Sequence, residues 1–425
     1  MASVAVAGGL NAQWPEDSIF DYIVVGGGPG GLTVASRLSE DPSLQVLLLE
    51  AGDADHYEEK IMIPYMQGSA GLVNGACGGY NWCDSETFTQ ESSSSVATTY
   101  GMGYDASQHG RTGPQNVTFP NWQYPVSQQF FAAMGRLGTP TQTDPAAPDQ
   151  KGAMYLPQGI SPWNQSRADA RRARFDPVNT RSNLYITTGQ TAHRVLFDGG
   201  CAAPGSDGAC AVGVEVSTGP DATAYTAVAT REVVLSTGAL RTPQVLELSG
   251  IGANSTLSSV GLQTRISLPG VGNNLQDHML MHMSQGFNND SYIYPNIMNN
   301  QTINDWARNT YYTNRTGPYT FGPPDGNGFL SLPQFSNRSQ DLASQAAEQQ
   351  DAQHLPENTD ETVISGYARQ RALLIPALND SSRGAIEFLQ DNAGNTQISN
   401  QRPLTRGTVH VNSTDPFTYP TLDFR

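Results

Sequence analysis

The chain has 425 residues, which is long enough for two or three domains with a large buried core. Its formal net charge is −16, with 39 acidic residues against 23 basic ones. Such an acidic surface argues against nucleic acid and against anionic membranes as partners. No apolar run approaches the length of a membrane-spanning helix, so no membrane partner is predicted.

Residues 1–18 are predicted to be a disordered lead, which has no basic n-region and makes a poor signal peptide. The acidic composition and nine N-x-S/T sequons nevertheless favour a secreted glycoprotein. The sequons start at Asn116, Asn164, Asn254, Asn289, Asn300, Asn314, Asn337, Asn379 and Asn412.

The four cysteines lie in two close pairs without the C-x-x-C spacing of zinc or thioredoxin sites. Cys201 and Cys210 flank "AAPGSDGA", a loop flexible enough to let them meet. A disulfide between these two is expected if the chain is secreted, and free thiols are expected if it is cytosolic. Cys77 and Cys83 flank "GGYNW". No metal site is predicted.

The first strong pattern is "YIVVGGGPGGLTVASRLSEDPSLQVLLLEAG", from Tyr22 to Gly52. It predicts a strand, a glycine turn, a helix and a second strand. Gly26, Gly28 and Gly31 form G-x-G-x-x-G. The first glycine makes the tight turn, the second lets the backbone approach a pyrophosphate, and the third lets the helix pack on the strand. The helix N-terminus attracts the phosphates.

Glu50 follows the second strand, 19 residues after Gly31. A carboxylate there can accept hydrogen bonds from ribose hydroxyls and disfavours a 2′-phosphate, so NADP is not expected. The pattern therefore favours dinucleotide binding over a purely structural glycine turn. It does not separate FAD from NAD.

Further elements follow along the chain. "SQQFFAAMGRLG" (127–138) predicts a short helix, and residues 180–238 predict strands in "NLYITTG", "HRVLFD", "AVGVEVST" and "REVVLSTGA". "TPQVLELSGIG" (242–252) predicts a helix that starts at proline and ends at glycine. From residue 286 onward the chain becomes rich in Asn, Gln, Tyr and Pro, with strand-like "RALLIPAL" and "TVHVN". This shift in composition indicates a second domain.

Two further stretches carry a family resemblance. They are "GALRTPQVLELSGIG", from Gly238 to Gly252, and "LPGVGNNLQDHMLMH" at 268–282. Together with the first motif, and in this order, they resemble the glucose–methanol–choline (GMC) family of flavin oxidoreductases. The terminal "TDPFTYPTLDFR" also resembles a family segment. The resemblance covers most of the chain from residue 19 onward.

The resemblance implies FAD as the cofactor. By position it implies that Pro29 and Gly30 lie at the pyrophosphate turn, that Glu50 binds the adenosine ribose, and that Val195 meets the adenine through its backbone. It also implies that Asp277 and His278 lie near the flavin. For His278 the preferred interpretation is a hydrogen-bonded residue that orients a loop, and a proton acceptor is the alternative. The predicted cofactor-binding residues are Gly26, Gly28, Pro29, Gly30, Gly31, Glu50, Ala51, Val195, Gly238, Asp277 and His278.

The chain departs from the family pattern in two places. The family string "G-R-x-L-G-G-S-S-x-x-N" is missing, as if several dozen residues were excised near Asp84–Ser85. The sequence also stops at Arg425, before the segment in which family enzymes carry a catalytic histidine. His410 is expected to be a surface strand residue and not a base. No catalytic residue is therefore predicted.

The predicted fold class is α/β, with a Rossmann-like FAD-binding domain (19–110 and 180–285) and a substrate-binding domain (111–179 and 286–425) that contains an antiparallel sheet. The resemblance implies oxidation of a small-molecule alcohol to a carbonyl compound by hydride transfer to flavin, with electrons passing to O₂ or another acceptor. The departures predict impaired activity.

The alternative is an inactive flavoprotein remnant or an incomplete gene product, and the abrupt join at 84–85 favours a splicing or gene-model defect. A nicotinamide-linked reductase is disfavoured because no second G-x-G-x-x-G opens a predicted helix.

Overall fold

The computed structural model describes residues 9–10, 14, 18–66, 86–88, 95–105, 107, 109–144, 151–199, 209–286, 300–322, 326–391 and 394–425. The strands are β1 (Gly9–Leu10), β2 (Ile19–Val25), β3 (Val46–Leu49), β4 (Glu86–Phe88), β5 (Gln115–Val117), β6 (Gly152–Met154), β7 (Leu184–Thr187), β8 (Thr191–Asp198), β9 (Cys210–Ser217), β10 (Tyr225–Leu235), β11 (Ile251–Gly252), β12 (Ile266–Ser267), β13 (Asn273–Leu275), β14 (Met279–Ser284), β15 (Gly326–Leu330), β16 (Ile386–Gln390), β17 (Asn395–Asn400), β18 (Gly407–His410) and β19 (Thr421–Asp423). The α-helices are α1 (Pro29–Leu38), α2 (Glu59–Met62), α3 (Ser95–Tyr100), α4 (Val126–Arg136), α5 (Gly238–Leu248), α6 (Asn254–Ser259), α7 (Gln301–Asn314), α8 (Leu332–Phe335), α9 (Ser339–Glu348) and α10 (Glu361–Leu378).

The first sheet has seven strands in the order β1-β7-β3-β2-β10-β9-β8. Strands β2 and β3 are adjacent and parallel, with Tyr22 opposite Val46 and Val25 opposite Leu49. All four side chains of β3 are buried, as expected for a parallel strand covered on both faces. Helix α1 packs Leu32 and Ala35 on one of these faces. The predicted α/β fold with a Rossmann-like first unit is confirmed.

Strand β10 joins this sheet from far along the chain. It lies parallel to β2, with Val233 opposite Ile23 and Leu235 opposite Val25. The antiparallel strands β9 and β8 extend the sheet beyond it. This pairing places the N-terminus of α5, which follows β10, beside the glycine turn that follows β2.

The second sheet is antiparallel throughout, in the order β14-β17-β16-β15-β6. Side chains alternate between its two faces. Helix α4 packs on one face, where Gly326 and Gly328 leave room for the side chains of Phe130 and Met134. By the strand register, Asn327, Glu387 and Ser399 share the other face. We call that face, together with Gln397, His282 and the adjoining Gln401 and His278, the polar face.

Three predictions about individual segments are wrong. Gly9–Leu10, in the predicted disordered lead, pairs with β7, and Trp14 Nε1 donates to Thr187 Oγ1 at 3.0 Å. "RALLIPAL" is the C-terminal part of helix α10, since Asp360 caps an 18-residue helix that contains it. Helix α5 starts at Gly238, so that Pro243 lies inside it. This proline lacks the N–H that would bond to the carbonyl one turn earlier, and its ring crowds that carbonyl.

The domain boundaries stay a prediction, with two details from the strand pairing. Strand β14 lies before the expected boundary at 285, yet it pairs with β17 in the second sheet. Strands β18 and β19 lie in the expected substrate-binding domain but form a separate three-stranded sheet with β13, in the order β13-β18-β19. Within the described residues, no helix has the length and apolar character needed to cross a membrane.

Candidate functional site

The glycine turn between β2 and α1 gives each glycine a distinct task. Gly26 has φ +102°, and a Cβ there would lie 2.4 Å from the carbonyl oxygen of Ser236. A Cβ on Gly31 would lie 1.8 Å from the carbonyl oxygen of Gly26. A Cβ on Gly28 would meet no atom within 4 Å. Gly26 and Gly31 are therefore required by the packing of the protein itself, whereas Gly28 borders open space.

Helix α1 starts at this open side. Gly28 is its N-cap residue and supplies no side-chain cap, and Pro29 occupies its first turn. The first amide groups of the helix therefore receive no acceptor from the N-cap side chain. Such an uncapped N-terminus, with its positive end of the helix dipole, suits a phosphate group.

The Glu50 carboxylate is held beside the turn by two backbone amides. Its Oε2 accepts from Gly27 N at 2.6 Å, and its Oε1 accepts from Gly52 N at 2.7 Å. Each carboxylate oxygen can accept more than one hydrogen bond. Glu50 is half-buried and keeps acceptor capacity for ribose hydroxyls, while Ala51 next to it is exposed.

Ser236 is a contributor to this site that the sequence analysis missed. Its Oγ donates to the carbonyl oxygens of Val25 at 2.8 Å and of Gly26 at 3.1 Å. It thus ties the end of β10 to the glycine turn. The only signal in the sequence was its place directly before the Thr237–Gly238 pair. Gly238 has φ +82°, and a Cβ there would meet no atom within 4 Å.

The predicted Val195 lies farther along the first sheet, in the edge strand β8. It is buried, and its amide N–H is donated to Ser249 Oγ at 2.8 Å. Ser249 is the C-cap residue of helix α5, whose other end lies at Gly238. Helix α5 thus links Val195 to the nucleotide turn, but an adenine contact at Val195 stays a prediction.

A charged cluster anchors the segment that follows Glu50. Arg172 binds Asp55 through both terminal nitrogens and Asp169 through Nη1 at 2.5 Å. Burial alone would raise the pKa of Asp55, but hydrogen bonds from Arg172 and from the Tyr57 amide lower it below the ordinary value. For Asp169, burial dominates and raises the pKa despite the same arginine. The cluster fixes the loop after Glu50.

Asp277 and His278 lie at the start of edge strand β14, next to the second sheet. Asp277 Oδ1 accepts from the His278 amide at 2.8 Å, and His278 Nδ1 lies 3.4 Å from Gln401 Nε2. Both residues are exposed. The predicted site therefore forms two groups. One surrounds the glycine turn, and the other, Asp277 and His278, borders the polar face.

The expectation that His410 is a surface residue is wrong. Its Nδ1 lies 2.6 Å from Oε1 of Glu247, whose side chain is fully buried, and the other carboxylate oxygen accepts from Val411 N at 2.8 Å. Gln244 Nε2 on the same helix donates to the Thr418 carbonyl at 2.7 Å. The chain from β18 onward is thus clamped to α5.

Of the four cysteines, the structure describes Cys210 alone. Cys210, at the start of β9, is disulfide-bonded. Its expected partner Cys201, and the pair Cys77 and Cys83, lie outside the described residues, as does the join at 84–85.

These features match a dinucleotide cofactor. Open space faces Gly28 and Gly238, helix α1 starts directly after Gly28 without a side-chain cap, and the Glu50 carboxylate is fixed beside the turn. With an antiparallel sheet appended to a Rossmann-like sheet, fold and site are those of a dinucleotide-binding protein with a second, β-rich unit.

Comparison with known proteins bears on the family resemblance. The sequence model described as "GMC oxidoreductase" matches residues 79–280, and one described as "NAD(P)-binding Rossmann-like domain" matches residues 24–54. The match to the GMC oxidoreductase model, together with relatives and structural neighbours that are FAD-dependent GMC oxidoreductases, confirms the predicted resemblance to this family and FAD as the cofactor.

Several relatives are known. A dehydrogenase named xptC from Emericella nidulans is 29% identical over 473 aligned positions, covering 96% of this chain and 74% of that protein. Glucose oxidase from Penicillium chrysogenum is 27% identical and covers 95% and 71%, respectively. The solved structure of an FAD-dependent oxidoreductase from Chaetomium thermophilum matches with a TM-score of 0.85 and 29% identity, covering 95% of this chain and 78% of that one. A fungal aryl-alcohol oxidase, at 24% identity and a TM-score of 0.78, shares the fold.

Proposed function

We propose that this protein oxidises an alcohol to a carbonyl compound and passes the electrons to O₂ or another acceptor. The observation that carries the proposal is the open glycine turn at Gly28 with the Glu50 carboxylate fixed beside it. The relatives named glucose oxidase and oxygen-dependent choline dehydrogenase, the latter 27% identical, support the substrate class.

The residues of this chain would divide the work as follows. The backbone at Gly28, Pro29 and Gly30 would bind the pyrophosphate, and Glu50 would accept hydrogen bonds from the adenosine ribose. When bound, FAD supplies an acceptor for the hydride that leaves the alcohol carbon. The polar face would contact the alcohol, because it presents amide, hydroxyl and imidazole groups suited to hydroxyl recognition.

We further propose that turnover is impaired. The alignment with the Emericella relative runs over 473 positions, more than the 425 residues of this chain, so that relative has residues without a counterpart here. This chain also lacks the family string expected near Asp84–Ser85. A positioned general base contributes about 10²–10⁴-fold to rate. His109, His193 and His410 are already hydrogen-bonded to Asp144, Ser217 and Glu247.

The test uses the full chain purified with and without added FAD. The absorbance spectrum and a flavin titration report cofactor binding, and primary, aryl and sugar alcohols are then screened with O₂ and with a dye acceptor. We expect flavin binding and slow turnover. If no flavin binds even at a high flavin concentration, the cofactor assignment is overturned. Robust turnover would overturn the proposal that turnover is impaired.

A further inference from the structure

A cluster of four polar residues links the middle of the second sheet to His278. Glu387 lies on β16, and its Oε1 accepts from Asn327 Nδ2 at 2.8 Å, while its Oε2 accepts from Gln401 Nε2 at 2.5 Å. The same Gln401 nitrogen lies 2.9 Å from Ser399 Oγ and 3.4 Å from His278 Nδ1. His278 is exposed, whereas Glu387 is half-buried and Asn327 is buried.

The carboxylate fixes which way the Gln401 amide points. An ionised carboxylate only accepts hydrogen bonds, so the amide atom that faces Glu387 has to be the NH₂ group and not the oxygen. One hydrogen of this group serves Glu387. The other is directed to Ser399 Oγ and His278 Nδ1. Because the Ser399 hydroxyl can rotate, it accepts from the amide as readily as it donates elsewhere.

The amide orientation then determines the tautomer of His278. A neutral imidazole has one N–H donor and one acceptor nitrogen, and the hydrogen bond made by one nitrogen decides the state of the other. With an N–H of Gln401 directed at Nδ1, that nitrogen is the acceptor. Nε2 therefore carries the hydrogen.

We propose that Gln401 is a positioning residue that holds His278 as its Nε2–H tautomer, so that His278 offers a hydrogen-bond donor, and not a proton acceptor, to an oxygen atom of the bound alcohol or carbonyl compound. The identity of that oxygen rests on the proposed function, but the tautomer does not. Burial raises the pKa of Glu387, while the Asn327 hydrogen bond and the electrostatic interaction with His278 oppose this rise. The Glu387 carboxyl group is thus coupled electrostatically to the His278 imidazole, which it orients through Gln401.

The tautomer is measured directly by NMR on the full chain labelled with ¹⁵N in histidine rings, at a pH at which imidazole is neutral. The His278 resonances are assigned by their loss in His278→Asn. We expect Nε2 to carry the proton in the wild type. A proton on Nδ1 would overturn the proposal.

An exchange variant reverses the direction of the hydrogen bond between residue 401 and His278 without changing the net charge of the chain. In Glu387→Gln/Gln401→Glu, the carboxylate moves next to His278 and can only accept, so the His278 proton should move to Nδ1. The single variant Gln401→Glu should give the same change of the His278 tautomer. It replaces the exchange variant in this test if the latter does not fold. An unchanged His278 tautomer in the folded variants would also overturn the proposal.

Gln397→Glu is the matched control. Gln397 lies on the same face, opposite His282 in the ladder between β14 and β17. The added charge should change the ring resonances of His282 and leave the tautomer of His278 as in the wild type. A His278 tautomer change in this control would show a general charge effect and overturn the role of Gln401. Because none of these readouts requires turnover, a chain that oxidises no alcohol but shows the expected tautomers would refute only the proposed function.

Discussion

Substitution by alanine is predicted to lower folding stability at Gly31 and FAD affinity at Gly28. A Cβ on Gly31 would lie 1.8 Å from the Gly26 carbonyl oxygen and 2.7 Å from Ser236 Oγ. The backbone oxygen cannot rotate away, so the strand and helix have to separate. Overpacking of this kind costs about 1–3 kcal/mol. Alanine gains back at most about 1 kcal/mol in helix propensity. We expect Gly31→Ala to lower the free energy of unfolding of the FAD-free protein by about 2 kcal/mol.

Gly28→Ala should leave the FAD-free protein nearly unchanged. Its φ of −72° is open to alanine, and the added methyl group would meet no atom within 4 Å. The loss of glycine at the N-cap and the gain from a stiffer unfolded chain roughly cancel, within about 1 kcal/mol. The methyl group would, however, occupy space meant for the pyrophosphate. We expect FAD to bind about 10-fold more weakly, which corresponds to about 1.4 kcal/mol.

The two effects are separated by urea unfolding of the FAD-free chains and by flavin titration of the same preparations. Gly30→Ala is the control, because its Cβ would meet only the Ser236 Cβ, at an ordinary 3.8 Å. It should be at least as stable as the wild type, because alanine gains up to about 1 kcal/mol in helix propensity here without a close contact. Wild-type stability in Gly31→Ala would refute the close approach of helix and strand. Wild-type FAD affinity in Gly28→Ala would refute the position of the cofactor.

Three further outcomes are expected. Glu50→Gln should weaken FAD binding by about 1.5–3 kcal/mol, because hydrogen bonds to a charged acceptor are lost, and a titration showing unchanged affinity would contradict the ribose contact. His410→Ala should lower the free energy of unfolding by about 3 kcal/mol, since it leaves the buried Glu247 carboxylate without its side-chain partner, whereas His410→Gln should lose less. Equal losses in urea melts would show that the imidazole only fills space. The pKa of Asp55 is lowered in the folded state, so its ion pair with Arg172 stabilises the protein above the unfolded pKa of about 3.9 and this contribution is lost as pH falls through the folded value. Asp55→Asn should therefore be less stable at pH 7 and show a shallower loss of stability below about pH 4, and parallel pH curves would exclude this role.

The sequence was most informative where local chemistry decides the structure. The strand, glycine turn and helix from Ile19 to Leu38 were predicted correctly because each glycine there is required by a turn or a close approach that a short motif encodes. The order of three such motifs was enough to reveal the family resemblance. Glu50 was found for the same reason, since its distance from the turn follows from the length of one helix and one strand.

Errors arose where distant parts of the chain decide the outcome. The apolar run at the end of α10 has no period that separates a strand from a buried helix, and only the cap at Asp360, a dozen residues earlier, settles it. His410 seemed exposed in an alternating strand because its partner Glu247 lies on a helix 163 residues away. Gln401 and Glu387 belong to no motif. Their importance comes only from strand register in the second sheet.

The pairing of β2 with β10 has a consequence for synthesis of the chain. Leu235 leaves the ribosome long after its neighbour Val25, because 210 residues separate them. At about 5–20 residues per second, this delay is about 10–40 s. Throughout that time the nascent chain carries an apolar strand with one unpaired edge, and loop closure over such a distance slows pairing further. Production of this protein should therefore depend on holding chaperones and on translation speed, even though both edges of β2 are paired in the finished first sheet.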